Sequence, residues 1–488
     1  MSKKLPLAIW RLALVLTIVV GLAKQLKTAF FSIKEMKAFY VLTDISGLTA
    51  YLLPGVIGFL VLKKFLNKTP LPPALLLSLA PGLGMIFTAF LLFATLSLWN
   101  QLPQGFILTL HGALLVFLLL ISRNPAKPSK NLRPRGNLFL WQLIFLSAAV
   151  LFFAKVLKSP EGSGMDVWAI WKLKASLIYH NSSEWKQIFS KAMDASHPDY
   201  PLFYPLLLCW GWIFTGKENI SAPIWLSFVT TLAAVGVLAS ALWNTNKRAA
   251  YASALVLIST PHFIGMGSSL YADIFVAYFM LASVVLLKTA FDSAQWRLAF
   301  LSGLFAGAGS FIKNEGLLVL LLSFLVLGYR MIRRGETRAC CISFLAASLP
   351  LVGCTIFFKV TAAYPNPHIS MGSCREVLVS GLIFARGFEV IRAGFQEFLN
   401  VNSWSFAWVF FLFFMLINFG SFRKKEFGWI SALILGTGAG YFLIYLGTPM
   451  ELKDLLQNSL SRLLIHVYPV IGYLVFSLYS DIYLNNDD

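Results

Sequence analysis

Long apolar blocks, each about long enough to cross a bilayer, limit what this chain of 488 residues can fold into. A helix needs about 20 apolar residues to span the hydrocarbon, and only helices or closed barrels satisfy their backbone there. Barrel strands alternate polar and apolar residues, whereas these blocks are unbroken. With 58% hydrophobic and 12% charged residues, the chain is not a soluble domain, a disordered chain or a coiled coil.

Fourteen blocks predict an all-α polytopic membrane protein with about 14 transmembrane helices. They lie at about 6–23, 46–66, 73–97, 105–122, 138–157, 222–243, 250–266, 274–290, 298–313, 316–334, 340–361, 404–421, 428–447 and 462–480. A further block, 201–216, is too short to span comfortably. If it does not cross, it either lies in the interface or dips into the membrane and returns.

Basic gaps between the blocks predict the orientation, because short loops rich in Lys and Arg stay in the cytoplasm. Four such gaps lie at 63–68, 123–135, 330–338 and 423–425. They share one side only if block 201–216 does not cross. Both termini are then cytoplasmic in the cell inner (plasma) membrane, and two large gaps, about 158–200 and 362–403, face the exterior. The gap 24–44, with four lysines, falls outside, against the rule.

The formal net charge of +19 would suggest a nucleic-acid partner in a soluble protein. In a membrane protein it favours orientation and contact with anionic lipid, so we predict no nucleic-acid partner. The cysteines form no CxxC pair and have no metal-site spacing with His. We therefore predict no metal and no cofactor.

The first outer gap holds a short helix that begins at Asp166. Trp168, Trp171, Ala175 and Ile178 recur at spacings of three and four, which predicts one shared face on a helix lying flat at the interface. Asp166 is either an acid that starts the helix or a general base aimed at a groove. We favour the base, because acids near lipid are costly.

The same gap continues with the segment His197-Pro-Asp-Tyr-Pro. Its prolines predict an extended or turning chain. The segment is either a rigid connector or a place where His197, Asp199 and Tyr200 meet a ligand. It offers too few ligands for a metal.

Three other segments place charged residues at the predicted outer ends of helices. Asp273 is either a helix N-cap or a functional acid. Lys313 and Glu315 lie in a very short turn, where Lys313 either is solvated or contacts a phosphate. Arg462 and His466 lie one helical turn apart, so Arg462 either snorkels to the headgroups or clamps a phosphate.

These candidates are far apart in sequence, yet the predicted topology puts them all on one side of the membrane and near one depth. Acids, an Arg and a Lys above hydrocarbon suit a lipid-linked phosphate substrate. The sequence therefore predicts a groove at the outer leaflet.

The order and spacing of these motifs resemble the bacterial GT-C membrane glycosyltransferases, most of all the family 39 group, which is related to protein O-mannosyltransferases and aminoarabinose transferases. The motifs are Asp166-x-Trp-x-x-Trp-x-x-Lys-Ala, His197-Pro-Asp-Tyr-Pro, Tyr271-Ala-Asp273, Lys313-Asn-Glu-Gly and Ser461-Arg462-Leu-Leu. The similarity covers about 138–480. One departure is Val167, which stands where many relatives carry a second acid; Asp199 is a possible substitute.

The resemblance implies a helical bundle with juxtamembrane helices in the first large outer loop, and an inverting sugar transfer from a polyprenyl-phosphate donor to an envelope lipid, glycan or protein. Asp166 would deprotonate the acceptor. The departing lipid phosphate would meet Lys313, Arg462 and His466. Acceptor or donor-sugar contacts would come from His197, Asp199, Tyr200, Asp273 and Glu315. Membrane lipid is the other expected partner, and the resemblance implies no metal.

Under this interpretation, 138–480 is the catalytic domain. Residues 1–137 are extra helices with a basic Pro-rich linker, and 481–488 are a short acidic tail. The competing interpretations are a transporter or flippase of lipid-linked glycans and a non-catalytic scaffold. A transporter would place charges near the bilayer midplane. A scaffold would leave the acids and Arg462 without a shared role. The sugar, the acceptor, the prenyl length and the oligomeric state stay open.

Overall fold

The structure, a computed structural model, describes residues 4–33, 44–67, 69, 71–122, 138–162, 164–333, 338–362, 382–422 and 427–484. Within these ranges every regular element is helical, which confirms the predicted all-α class. The linker 123–137, residues 363–381 of the gap 362–403, the basic gap 423–425 and the end of the acidic tail lie outside the described residues.

Twenty α-helices follow one another in the described ranges. They are α1 (Lys4–Ile33), α2 (Ser46–Phe65), α3 (Pro73–Trp99), α4 (Gln104–Ile121), α5 (Leu138–Lys158), α6 (Leu173–His180), α7 (Phe203–Thr215), α8 (Ser221–Trp243), α9 (Lys247–Ser259), α10 (Pro261–Ser268), α11 (Asp273–Ser293), α12 (Trp296–Ile312), α13 (Asn314–Arg333), α14 (Arg338–Ala362), α15 (Leu382–Phe398), α16 (Val401–Trp404), α17 (Ala407–Ile417), α18 (Phe419–Phe422), α19 (Gly428–Gly447) and α20 (Leu452–Tyr479).

Ten of these helices are long and apolar enough to cross a membrane, or eleven if α9 and α10, which meet at a 66° bend, form one broken span. This is the composition of a multi-pass membrane protein, but the predicted count of 14 is not confirmed. Two of the predicted blocks hold helices of only 17 and 11 residues, α12 and α17. Block 404–421 is wider than α17 because the turns and short helices on either side of it also contain apolar residues.

The apolar core runs through the whole described chain. In α11 and α20, 83% and 89% of the membrane-length window is buried inside the protein. Helices on both sides of the linker share this core: the Trp10 ring stacks on Tyr479 at 3.9 Å, and Trp210 donates a hydrogen bond to the Ala50 carbonyl. The N-terminal helices therefore pack as part of one bundle.

The short helix α7 is buried on nearly all sides. Its 13 residues extend about 20 Å, which is less than the roughly 30 Å of hydrocarbon. A helix that is apolar all round belongs inside protein. This agrees with the prediction that block 201–216 does not cross on its own.

A close helix crossing positions the turn between α12 and α13. A Cβ on Gly316 would lie 1.9 Å from the Gly309 carbonyl oxygen, so only glycine fits there. The crossing holds the start of α13, which contains Glu315, against the end of α12. Lys313, between the two helices, and Glu315 are thus held at this junction.

Candidate functional site

The Asp273 carboxylate, at the first residue of α11, lies at the centre of a group of charged side chains. It is fully buried. Lys313 Nζ and His466 Nε2 donate to its Oδ1 at 3.0 Å and 2.9 Å. Arg462 Nε and Nη2 both lie 3.3 Å from its Oδ2. A buried carboxylate requires such partners, and here the junction of α12 and α13 supplies one and helix α20 supplies two.

Arg462 also reaches a second carboxylate. Its Nη1 donates to Asp166 Oδ2 at 2.8 Å, and its guanidinium lies 4.3 Å from the centre of the Tyr271 ring. The Asp166 side chain is 45% exposed, against 0% for Asp273. One guanidinium thus bridges a carboxylate open to the surface and a carboxylate closed inside the bundle, a geometry suited to its planar fork.

Glu315 extends the group on the other side of Lys313. The Lys313 ammonium lies 3.1 Å from Glu315 Oε1, while Glu315 Oε2 is buried and has no hydrogen-bond partner among the described residues. Three carboxylates therefore share two permanent cations. We call this set the carboxylate cluster; it consists of Asp166, Asp273, Lys313, Glu315, Arg462 and His466.

The hydrogen bonds of His466 assign its tautomer. Nε2 faces the Asp273 carboxylate, so Nε2 carries the proton, and Nδ1 then accepts from the Tyr441 hydroxyl at 3.0 Å. The imidazole is fully buried. Lys313 is also almost fully buried, and it too contacts Asp273. The predicted contact of these two residues with a lipid phosphate stays a prediction.

The segment between α5 and α7 contains a π-helical turn, Val167–Lys172, before α6. Trp171, Ala175 and Ile178 are fully buried on one face, as predicted, but Trp168 is 56% exposed. The predicted position of Trp168 on this face is therefore wrong. A π turn has i→i+5 hydrogen bonds, so it shifts the residues before Trp171 off the α-helical register.

Tyr200 connects this loop to the carboxylate cluster. Its ring stacks parallel to Trp171 at 5.6 Å and lies 5.5 Å from the Lys313 ammonium. The His197 ring also stacks on the Tyr200 ring, with the two ring centres 5.2 Å apart. Burial raises the pKa of the Tyr200 hydroxyl well above 10, so Tyr200 keeps its proton at neutral pH.

Asp199 lies in a second group of polar side chains, in which lysine amines contact carbonyl and amide oxygens. Asn314 Nδ2 donates to Asp199 Oδ2 at 2.7 Å. Lys359 Nζ donates to the Asp199 carbonyl at 2.5 Å and to Asn314 Oδ1 at 2.6 Å. Burial alone would raise the pKa of Asp199, but the neighbouring His197 ring and the Lys359 charge lower it below its usual value.

Lys174 completes this second group from α6. The side chain is fully buried, and its Nζ donates to the His197 carbonyl at 2.5 Å, with the Tyr200 carbonyl at 3.5 Å. Burial lowers the pKa of this amine to about 7. We call Lys174, Asp199, Asn314 and Lys359 the lysine cluster.

Four contributing residues were missed by the sequence analysis. They are Lys174, Asn314, Lys359 and Tyr441. Lys174 and Asn314 lie inside motifs that were noticed, so their polarity within apolar surroundings was a usable signal. Lys359 and Tyr441 sit in apolar blocks, and nothing local in the sequence marks their partners.

The arrangement can hold one ionised carboxylate at the surface in a fixed orientation and present protonated donors beside it. Charge-assisted hydrogen bonds from a guanidinium are short and directional. Within the described ranges, no group of three or more His, Cys, Asp or Glu side chains is placed to hold a metal ion.

Comparison of the chain with protein-family models, with curated proteins and with solved structures finds no match. The likeness to GT-C transferases therefore depends on the motifs of this sequence alone.

Proposed function

We propose that the chain is an integral membrane glycosyltransferase that moves a sugar from a polyprenyl-phosphate donor to an envelope lipid, glycan or protein at the outer face of the membrane. The observation that carries the proposal is the Arg462 bridge between the exposed Asp166 and the buried Asp273. The motif resemblance of 138–480 to inverting GT-C enzymes supplies the reaction class.

In this proposal Asp166 accepts the proton of the acceptor hydroxyl as that oxygen attacks the anomeric carbon of the donor sugar. The bond between that carbon and the phosphate oxygen breaks, and the lipid phosphate leaves as an anion. Arg462 keeps the Asp166 carboxylate oriented and offers positive charge near the reacting groups. Asp273 acts as a positioning residue, because it holds Arg462 from inside the bundle.

Placement of the charges at helix ends supports transfer over transport. Asp273 is the first residue of α11 and Lys313 directly precedes α13, so these two charges lie at helix ends, whereas Arg462 and His466 lie inside α20. A transporter or flippase of lipid-linked glycans, the competing proposal, would place such groups near the bilayer midplane.

The test is sugar transfer by the purified full chain from a labelled polyprenyl-phosphate sugar, with envelope extract as the acceptor. We expect Asp166→Asn to lower the transfer rate about 100-fold or more while donor binding persists. Asp194→Asn, the same change at another exposed acid of the same loop, is the matched control and should keep wild-type transfer.

Equal transfer by wild type and Asp166→Asn would remove Asp166 from the reaction. If the wild type transfers nothing but moves the labelled donor across liposome membranes, the flippase proposal replaces this one. If it does neither while folded, the scaffold interpretation is favoured.

A further inference from the structure

The helix α15 exposes a row of large apolar side chains that the site described above does not use. Phe384, Phe388, Ile391 and Phe395 recur at spacings of three and four, so they share one face of the helix. Each of these side chains is between 62% and 84% exposed. An apolar row of this length marks a contact with a membrane or with another protein.

A second exposed face of α15 is polar. Glu389, Arg392 and Gln396 are exposed, and each directly follows a member of the apolar row, which places them about 100° further round the helix. A helix surrounded by lipid is apolar on all its exposed sides, and a helix surrounded by water is polar on them. One apolar and one polar face side by side are the pattern of a helix that lies in the membrane interface.

The third face of α15 packs on the bundle and fixes the direction of the other two. Gly387 and Val390 are buried there, and Val390 belongs to a buried apolar group that includes Tyr441, Tyr445 and Leu463. These partners come from α19 and α20. The helix therefore cannot turn its apolar row inward without losing this packing.

A hydrogen-bonded arginine places α15 at the end of a helix of membrane length. Arg386 Nη1 donates to the carbonyl oxygens of Leu446 and Thr448 at 3.0 Å and 2.8 Å, where α19 ends. The 20 residues of α19 rise about 30 Å, which is the thickness of the hydrocarbon. The end of α19, and α15 with it, therefore lies near a membrane surface.

Lipid explains the exposed surface of α15 better than a protein partner does. The neighbouring α19 exposes Leu435 and Leu443, side chains of the kind that a multi-pass membrane protein presents to lipid. A second copy of the chain or another protein would cover the apolar row, but it would not require a polar face beside the row at the level where a spanning helix ends. The membrane interface supplies hydrocarbon on one side and water on the other.

We propose that α15 is an interfacial helix whose apolar row binds the lipid surface. The row enters the edge of the hydrocarbon, and the polar face stays in water. This proposal uses no residue of the carboxylate cluster and does not depend on the transferase proposal. The inner face of α15 packs in the same apolar group as Tyr441, which donates to His466, so a lipid-bound α15 also supports one side of the carboxylate cluster.

The experiment places a nitroxide label on each exposed face of α15, with the full chain in phosphatidylcholine nanodiscs. The parent chain carries Cys374→Ser, because the other four cysteines are buried. Phe388→Cys puts the label on the apolar row, and Glu389→Cys, the next residue in sequence, is the matched control on the polar face. Power saturation with oxygen, which partitions into lipid, and with a water-soluble nickel complex measures the depth of each label.

We expect the label on the apolar row to lie about 5–10 Å below the lipid phosphates and the label on the polar face to lie at or above them. Equal access of the nickel complex to both labels would show that the row faces water and would overturn the proposal. Both labels below the phosphates would overturn it too, because α15 would then be immersed in hydrocarbon.

A label on the apolar row that neither reagent reaches would show that a second copy of the chain covers the row, which also contradicts the proposal. Thermal unfolding of each labelled variant beside the parent chain shows that it is folded. If Phe388→Cys does not fold, Phe395→Cys, two turns later on the same row, repeats the measurement.

Discussion

The lysines of the carboxylate cluster and those of the lysine cluster contact different kinds of partner. In the carboxylate cluster, Lys313 and Arg462 are matched by carboxylates. In the lysine cluster, Lys174 and Lys359 donate mainly to backbone carbonyls and an amide oxygen. Ion pairs between side chains hold those side chains in place. Hydrogen bonds from lysine amines to backbone carbonyl oxygens hold a segment of the chain in place.

From this difference in partners we infer different roles for the two clusters. The carboxylate cluster ends at the exposed Asp166 and so reaches the surface with an ionisable group. The lysine cluster closes around the segment from His197 to Tyr200 and fixes the loop that packs against Lys313. The first cluster would act on a ligand, and the second would keep the loop in position for it.

The largest expected effect follows from removing the central acid. Asp273→Ala leaves Lys313 and Arg462 as buried cations without their main partner, and breaking a buried pair in this way costs about 3–5 kcal/mol. We expect a large drop in the unfolding temperature, and tryptophan fluorescence during heating measures it. Asp292→Ala, which removes the 54% exposed partner of the largely buried Lys288, should cost less, because the carboxylate that it removes is open to water. Equal drops in both variants would contradict the central role of Asp273.

The next effect separates orientation from charge. Arg462→Lys keeps the positive charge but removes the planar fork that contacts both carboxylates. We expect sugar transfer to fall about 100-fold, because small misplacements of catalytic groups carry penalties of that size, with a smaller stability loss than in Asp273→Ala. Arg297→Lys at a site away from the cluster serves as control. Wild-type transfer by Arg462→Lys would show that charge alone suffices.

A smaller effect is expected in the lysine cluster. Lys359→Met removes the donor to the Asp199 carbonyl and to Asn314 Oδ1, and unsatisfied buried acceptors cost about 1–3 kcal/mol each. We expect faster trypsin cleavage at the exposed Lys186 and Lys191, measured by intact mass. Lys217→Met is the control. An unchanged cleavage rate would mean that Lys359 does not hold this loop.

The smallest effect is a pH dependence from Lys174. Its pKa is about 7 in the folded chain against 10.5 for an ordinary lysine, so between these values the folded state binds fewer protons than the unfolded state. Stability therefore rises with pH through this window. We expect the unfolding temperature of the wild type to rise by a few degrees from pH 7 to pH 9 relative to Lys174→Met. Parallel curves for the two proteins would exclude Lys174 as the source.

Much of the site was accessible from the sequence because ionisable residues are rare near lipid. Asp166, Asp273, Lys313 and Arg462 stood out against apolar surroundings, and a single topology argument put them on one side. Their meeting in one cluster follows that expectation.

Other features were decided by packing between helices that are distant in the chain. Lys359 meets Asp199 across 160 positions, and no local pattern encodes that contact. Trp168 left its predicted face because a π turn replaced the α-helical register. The count of full-length spans likewise depended on where helices end inside apolar blocks.

The sequence by itself determined that the chain is a helical, multi-pass membrane protein, because apolar blocks of bilayer length can satisfy their backbone in lipid only as helices. It also supplied the set of candidate charged residues. Only the tertiary structure decided which carboxylate faces which cation. Those pairings depend on how helices cross, and a distance of a few ångströms separates a matched charge from an unmatched one.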